Sequence, residues 1–250
     1  MATVPGSQFT LNAAMPVIVV ETTTGTGLPP AVAGDFNAEA FIGATVSAPA
    51  IAAGYQGLGV LSPSGQELDL ISGAFAATDN GTNDTLSTYG SDETITGSSS
   101  GTSLNLIGEN DTAIGGSGAD TISVGTGATD SLNLTGSLDL ISMGTGSDSA
   151  TVVGASDTVT SGANPGANQS VINLTGTDMT LIDGANKYAD TVIGFDQTGG
   201  DTIQLTTDTV ADALAHSTQV NGGADTLITL SDGSTILLKG VSQIDSTFFS

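Results

Sequence analysis

Residues 115–123 read GGSGADTIS. A glycine-rich loop runs into one carboxylate, Asp120, and then into a polar, apolar, polar alternation that suits a short strand with one face buried. The pattern recurs on both sides as Asp84-Thr85-Leu86, Asp111-Thr112, Asp130-Ser131-Leu132, Asp148-Ser149 and Asp157-Thr158-Val159, with Asp92 and Asp139 in the same rhythm. From Asp111 onward the steps are 9, 10, 9, 9 and 9 residues. Alternating apolar pairs follow several of these acids: Ile122 and Val124, Leu132 and Leu134, Ile141 and Met143, Ala150 and Val152. Taking every second acid separates two series, Asp92, Asp111, Asp130, Asp148 and Asp120, Asp139, Asp157. That spacing predicts a coil of about 18 residues with two strands and two turns, stacked on its neighbours as parallel strands about 4.8 Å apart. The fold class expected is therefore all-β, a parallel β-solenoid or β-roll. The density of glycine, 35 residues in 250, argues against helix and suits turns whose backbones approach closely.

Charge narrows the function. Two Lys and no Arg stand against 26 acidic residues, 21 of them Asp and five Glu, for a formal net charge of −24. Such a chain repels nucleic acid and also opposes its own compaction until counter-ions neutralise it. The acids are spaced out and followed by aliphatics, unlike the blocks of a disordered acidic tail. With no Cys there are no disulfides to staple the fold. Stacked turns would set carboxylates of successive coils beside glycine-loop carbonyls, an oxygen-rich environment that suits Ca²⁺ and not a softer metal. Asp120, Asp130, Asp139, Asp148, Asp111 and Asp157 are the expected carboxylate ligands.

The stretch 115–123 resembles the nonapeptide GGxGxDxUx of RTX proteins at every specified position. MGTGSDSAT, residues 143–151, is similar, with Met at the first position and Ala150 at the apolar one, and VGTGATDSL carries one extra residue before Asp130. The resemblance implies calcium held between stacked turns by glycine-loop carbonyls and the following Asp. It maps to Gly116, Gly118 and Asp120, then to Gly144, Gly146 and Asp148.

A second resemblance covers the C-terminal region. YADTVIGFDQTGGDTIQL, residues 188–205, looks like the segment that follows RTX repeats in serralysin-type secreted proteins. GSTILLKGVSQIDSTFFS, residues 233–250, is similar to the uncleaved signals read by type I ABC transporter secretion. The resemblance implies a secreted or cell-surface bacterial protein whose partner in export is that machinery. It also implies a chain that stays loose at low cytosolic calcium and folds outside, where sites of roughly 10⁻⁴ to 10⁻³ M affinity fill. The start of the chain agrees: it lacks a basic region, and its apolar run from Met15 to Val20 is too short for a signal-peptide core or a membrane span. No membrane insertion is expected.

Catalysis is not expected. The two cations and the lone histidine, Lys187, Lys239 and His216, lie outside the regular repeats, and the zinc motif HExxH of a serralysin-like protease is absent. The division expected is 1–75, a β-rich or irregular cap or assembly segment; 76–185, calcium-binding repeats; 186–250, a C-terminal cap with the secretion signal. Two roles remain open. One is a structural subunit of an extracellular fibre, biofilm matrix or surface layer, polymerising with itself. The other is a monomeric adhesin or a calcium-dependent ice- or carbohydrate-binding module, for which Thr82, Thr126 and Thr145 make only a sparse array and the absence of Trp removes the usual sugar platform.

Overall fold

The structure is a computed structural model. It describes residues 83–88, 91–125, 129–162, 169–184 and 188–250, together with the backbone pairing of five earlier strands: β1 (Val17–Glu21), β2 (Ala38–Ile42), β3 (Leu58–Leu61), β4 (Glu67–Leu70) and β5 (Ala76–Asp79). Thr82, Thr126 and Lys187 lie outside the described residues.

Buried and outward residues alternate along most of the solenoid's strands, which begin at or just after the Asp-Thr/Ser-x units and their substitutes. In chain order these are β6 (Asp84–Thr88), β7 (Thr94–Thr96), β8 (Thr102–Leu106), β9 (Thr112–Ile114), β10 (Thr121–Val124), β11 (Ser131–Ser137) and β12 (Leu140–Ser142). They continue as β13 (Ser149–Ala155), β14 (Thr158–Thr160), β15 (Ser170–Thr177), β16 (Thr180–Ile182), β17 (Ala189–Ile193) and β18 (Thr202–Gln204). Even-numbered strands from β4 to β18 stack in parallel as one sheet, and odd-numbered strands from β3 to β17 stack as a second. The result is the expected all-β parallel solenoid, with about six coils of roughly 19 residues.

A thin core lies between the sheets. One contributes the in-register rank Leu86, Leu104, Ile122, Ile141, Val159, Leu181 and Ile203; the other contributes Ile95, Ala113, Leu132, Ala150, Ile172 and Val192. All are buried, so Ala150 is a core position despite its size. Stacking identical positions means each apolar side chain covers the next along the axis, which removes it from water without needing a wide interior.

Close stacking requires glycine where backbones meet. A Cβ on Gly116 would stand 1.5 Å from the Ser98 carbonyl oxygen, and one on Gly154 would stand 1.8 Å from that of Gly136.

The ladders run past the boundary expected at residue 185, since β17 pairs in parallel with β15 and β18 with β16. At the C-terminal end β21 (Thr235–Lys239) continues beside β17 in parallel, then β20 (Asp225–Thr229) and β19 (Ser217–Val220) follow antiparallel. The short helix α1 (Val210–Ala215) buries Ala213, and His216 caps its exposed C-terminal end. The chain terminus packs back on the last coil: Phe248 stacks on Phe195 with ring centroids 5.8 Å apart, and the Ser250 N–H donates to the Ile203 carbonyl. Among the described residues no helix is long and apolar enough to cross a membrane.

Candidate functional site

Most strands of the solenoid are entered through one buried polar residue, and these residues stack into two ladders, one along each edge. On the first edge the Glu93 N–H donates to Asp111 Oδ1 (2.9 Å), the Asp111 N–H to Asp130 Oδ1 (2.8 Å), and the Asp130 N–H to Asp148 Oδ1 (3.1 Å). Ser170 ends the acidic run, taking the Asp148 N–H on its hydroxyl at 3.3 Å. On the second edge Thr102, Asp120 and Asp139 donate in the same way to Asp120, Asp139 and Asp157, at 2.7, 2.8 and 2.9 Å. Met179 interrupts this ladder, and its N–H donates to Asp201 Oδ1 at 2.9 Å.

The expected carboxylates Asp111, Asp120, Asp130, Asp139, Asp148 and Asp157 are thus all ladder members, each about 1% exposed or less. Asp92 is not. It sits exposed with φ 63° immediately before Glu93, which takes the ladder position. The signal was in the sequence: Glu93 precedes Thr94-Ile95 just as Asp120 precedes Thr121-Ile122. Asp190 and Asp201 extend the ladders as well and carry the same Asp-Thr-aliphatic sign. Asp225 carries that sign too but belongs to the antiparallel β20, where the Gly240 N–H and Lys239 hold its carboxyl down to about 2.

The glycines divide. The Gly116 carbonyl accepts the Thr135 hydroxyl at 3.2 Å, and the Gly144 carbonyl lies against Gly162 of the next coil. Gly118 abuts the Gly101 backbone, and its own carbonyl faces Gly136. Gly146 lies in the loop ahead of Asp148. Three other glycines approach the carboxylates more closely, the first being Gly115, whose missing Cβ would stand 2.9 Å from Asp120 Oδ2. The space where Gly154 lacks a Cβ is flanked by the Gly136 carbonyl oxygen at 1.8 Å and Asp157 Oδ2 at 3.0 Å; the same space at Gly136 is flanked by the Gly118 carbonyl oxygen at 2.6 Å and Asp139 Oδ2 at 3.3 Å. Both of these G-x-x-D corners therefore fold their carboxylate back over their own glycine, beside a carbonyl of the preceding coil.

Electrostatically the ladders are strained. The second oxygens of Asp130, Asp139, Asp148 and Asp157 are buried and accept no hydrogen bond. Burial, reinforced by carboxylates one coil away, pushes Asp130 and Asp139 up to about 6. Burial likewise raises Asp111, Asp148, Asp157 and Asp201. Asp190, whose carboxylate accepts the Ser161 hydroxyl at 2.6 Å, is pushed up to about 7. Among the described residues the one ion pair joins Lys239 to Asp225, outside both ladders. Beyond the ladders, Asp183 satisfies a buried Tyr188 by accepting its hydroxyl at 2.9 Å and the Thr206 amide at 3.3 Å.

Orphaned carboxylate oxygens beside backbone carbonyls are hard donors and fit a hard cation in kind. Among the described residues, no three acidic or histidine side chains converge on one point, so carbonyls would have to complete any such site. Comparison with protein-family models, with curated proteins and with solved structures gives no match to this chain.

Proposed function

We propose that this chain is a non-catalytic, secreted, calcium-binding solenoid that serves as a structural subunit of an extracellular fibre, biofilm matrix or surface layer. The observation that carries the reading is the pair of in-register ladders of buried carboxylates, four of whose oxygens accept no hydrogen bond. A buried charge that is neither paired nor fully hydrogen-bonded opposes folding, so these ladders call for neutralisation from outside the chain. Asp111, Asp130 and Asp148 on one edge, and Asp120, Asp139 and Asp157 on the other, are the residues that would hold calcium, which when bound supplies the positive charge the ladders lack. The chain's own part is to present oxygen pairs at a fixed axial repeat and to exclude water from them. Folding would then follow the calcium supply, loose inside the cell and compact after export through a type I transporter. The reading without catalysis rests on the same charge: acid–base work on a substrate needs a partner of opposite or tunable charge, and among the described residues no cation pairs with a ladder carboxylate.

The test is a calcium titration of the purified chain from EDTA, followed by circular dichroism and by negative-stain microscopy of the same sample. Gain of β signal with ordered assemblies is expected. An unchanged spectrum removes calcium from the reading, and a folded but monodisperse monomer turns it toward an adhesin or other binding module.

A further inference from the structure

The described acidic side chains of this solenoid, from residue 84 onward, stand at its corners. From residue 84 to residue 193 the outward positions of both sheets are Thr, Ser, Asn, Val, Ile, Leu and Ala, without one charge. The broadest such surface belongs to the odd-numbered sheet, because β11, β13 and β15 are its longest strands, of 7, 7 and 8 residues. They pair in full register and project Ser131, Asn133, Thr135 and Ser137 beside Ser149, Thr151, Val153 and Ala155, beside Val171, Asn173, Thr175 and Thr177. Val153, 37% exposed, stands at the centre between Thr135 and Thr175, and Ile193, 42% exposed, extends the patch onto β17.

We propose that a second copy of this chain seats on the outer face of β11, β13 and β15, so that solenoids associate side by side, face against face. The inference rests on the assembling role proposed above and names the surface for it. Charge selects the occupant's geometry. Two copies each carrying −24 repel wherever their acidic corners meet, and an uncharged face is where they can approach without that cost. The face is also large enough. At about 4.8 Å between strands and 3.4 Å per residue, β11, β13, β15 and the neighbouring β9 and β17 span roughly 490 Å². Two such faces together reach about 1,000 Å², the threshold for a specific interface. Threonine and asparagine hydroxyl and amide groups can pair across the contact, and Val153 is the apolar anchor at its centre.

The experiment is sedimentation velocity on the full chain in calcium at one fixed concentration, with circular dichroism as the check on folding. Val153→Glu and, separately, Thr175→Glu place a carboxylate on the face; Ser142→Glu places one on the opposite sheet. The expected result is that the wild type sediments as an oligomer, that either variant on the face weakens association at least tenfold while staying folded, and that Ser142→Glu keeps the wild-type size. If the wild type assembles and both face variants assemble equally well, or Ser142→Glu dissociates as fully, the face is wrongly assigned while the assembling role stands. A folded wild type that remains monomeric overturns both, and its retention on neutral polysaccharide beads would assign the hydroxyl face to sugar.

Discussion

The backbone N–H of Asp111 donates to the carboxylate of Asp130, 2.8 Å away and one coil further along the chain. The same bond repeats along both edges, so every carboxylate in the run holds the coil before it through one oxygen. This arrangement fixes the axial register of the coils but concentrates like charge, and the predictions below follow from that tension.

Protonation should do in part what a cation does. Asp130 and Asp139 have their carboxyls raised from the ordinary 3.8 to about 6, chiefly by burial. Between those values the folded chain keeps protons that the unfolded chain has lost, so stability is fully present below about 4 and falls as pH rises through 6. After allowance for solvent screening, each group contributes on the order of 1 kcal/mol. In EDTA, where the chain is loose at pH 7, its β signal is expected to rise as pH is lowered from 7 to 4, a trend opposite to ordinary acid denaturation; circular dichroism across that range checks it. A signal that falls would mean the ladder carboxylates are not buried as described.

The double variant Asp130→Asn, Asp139→Asn separates charge from hydrogen bonding. An amide oxygen still accepts the N–H of the previous coil, while the buried charge is gone. Without calcium this variant is expected to be more stable than the wild type at pH 7 by about 1–3 kcal/mol. Its midpoint for calcium-induced β signal is expected to weaken at least tenfold, because two hard anionic donors are lost. The β signal in EDTA, expected to be larger in the variant than in the loose wild type, reads the first effect, and a calcium titration by circular dichroism the second. Opposite signs are the signature; loss of stability in both conditions would leave the charge without the role given to it.

The solenoid and most of its ladder were legible in the sequence because a period of 9 or 10 residues between Asp-Thr/Ser signals can only be a strand and a turn. Legibility failed where the ladder residue changed type. Ser170 replaces an Asp after a 22-residue step and Met179 does the same on the other edge, so the coil they begin lacks the regular signal although its strands pair as before. Met179 is accommodated because Gly176 leaves space for its methyl end, the same provision that Gly154 makes for Asp157. At Asp139, Asp157 and Met179 a glycine three residues earlier marks the second-edge corner whichever side chain follows. The outward faces were illegible for a different reason: whether Thr and Val stand in registered ranks depends on coil length, which varies from 18 to 22 residues and is set only when the corners close.

Gly154→Ala tests the closeness of stacking. Its Cβ would fall 1.8 Å from the Gly136 carbonyl oxygen and 2.8 Å from that carbonyl's carbon, both backbone atoms of the preceding coil. No rotamer change relieves such a contact, so the coils must separate and lose their ladder bonds. A loss of about 3 kcal/mol or more is expected, at the upper end for overpacking. Gly222→Ala is the contrast: nothing lies within 4 Å of its Cβ, and only a φ of 74° opposes it, so a loss near 1 kcal/mol is expected. Chemical denaturation of the two variants in calcium gives the comparison, and equal losses would mean the coils yield more readily than the geometry implies.

Leu138 carries strain that can be released. It turns the corner between β11 and β12 with φ 67°, a conformation that costs an ordinary L-residue roughly 1–2 kcal/mol. Its side chain is 67% exposed, so little burial offsets that cost. The equivalent corner residues one and two coils on are Ser156 and Asp178, and Asn83 and Asn110 hold the same conformation at earlier corners. Asn adopts it more readily than Leu because its short polar side chain bonds locally. The Leu138 N–H donates to the Ala155 carbonyl at 3.1 Å, a backbone bond that substitution leaves intact. Leu138→Asn should therefore raise stability by about 1 kcal/mol, a gain of roughly 2–4 °C in a domain of this size. Leu138→Val, branched at Cβ, should lower it. Thermal unfolding in calcium orders the three proteins, and an order with Val at or above Asn would show that the corner's conformation is not what sets its stability.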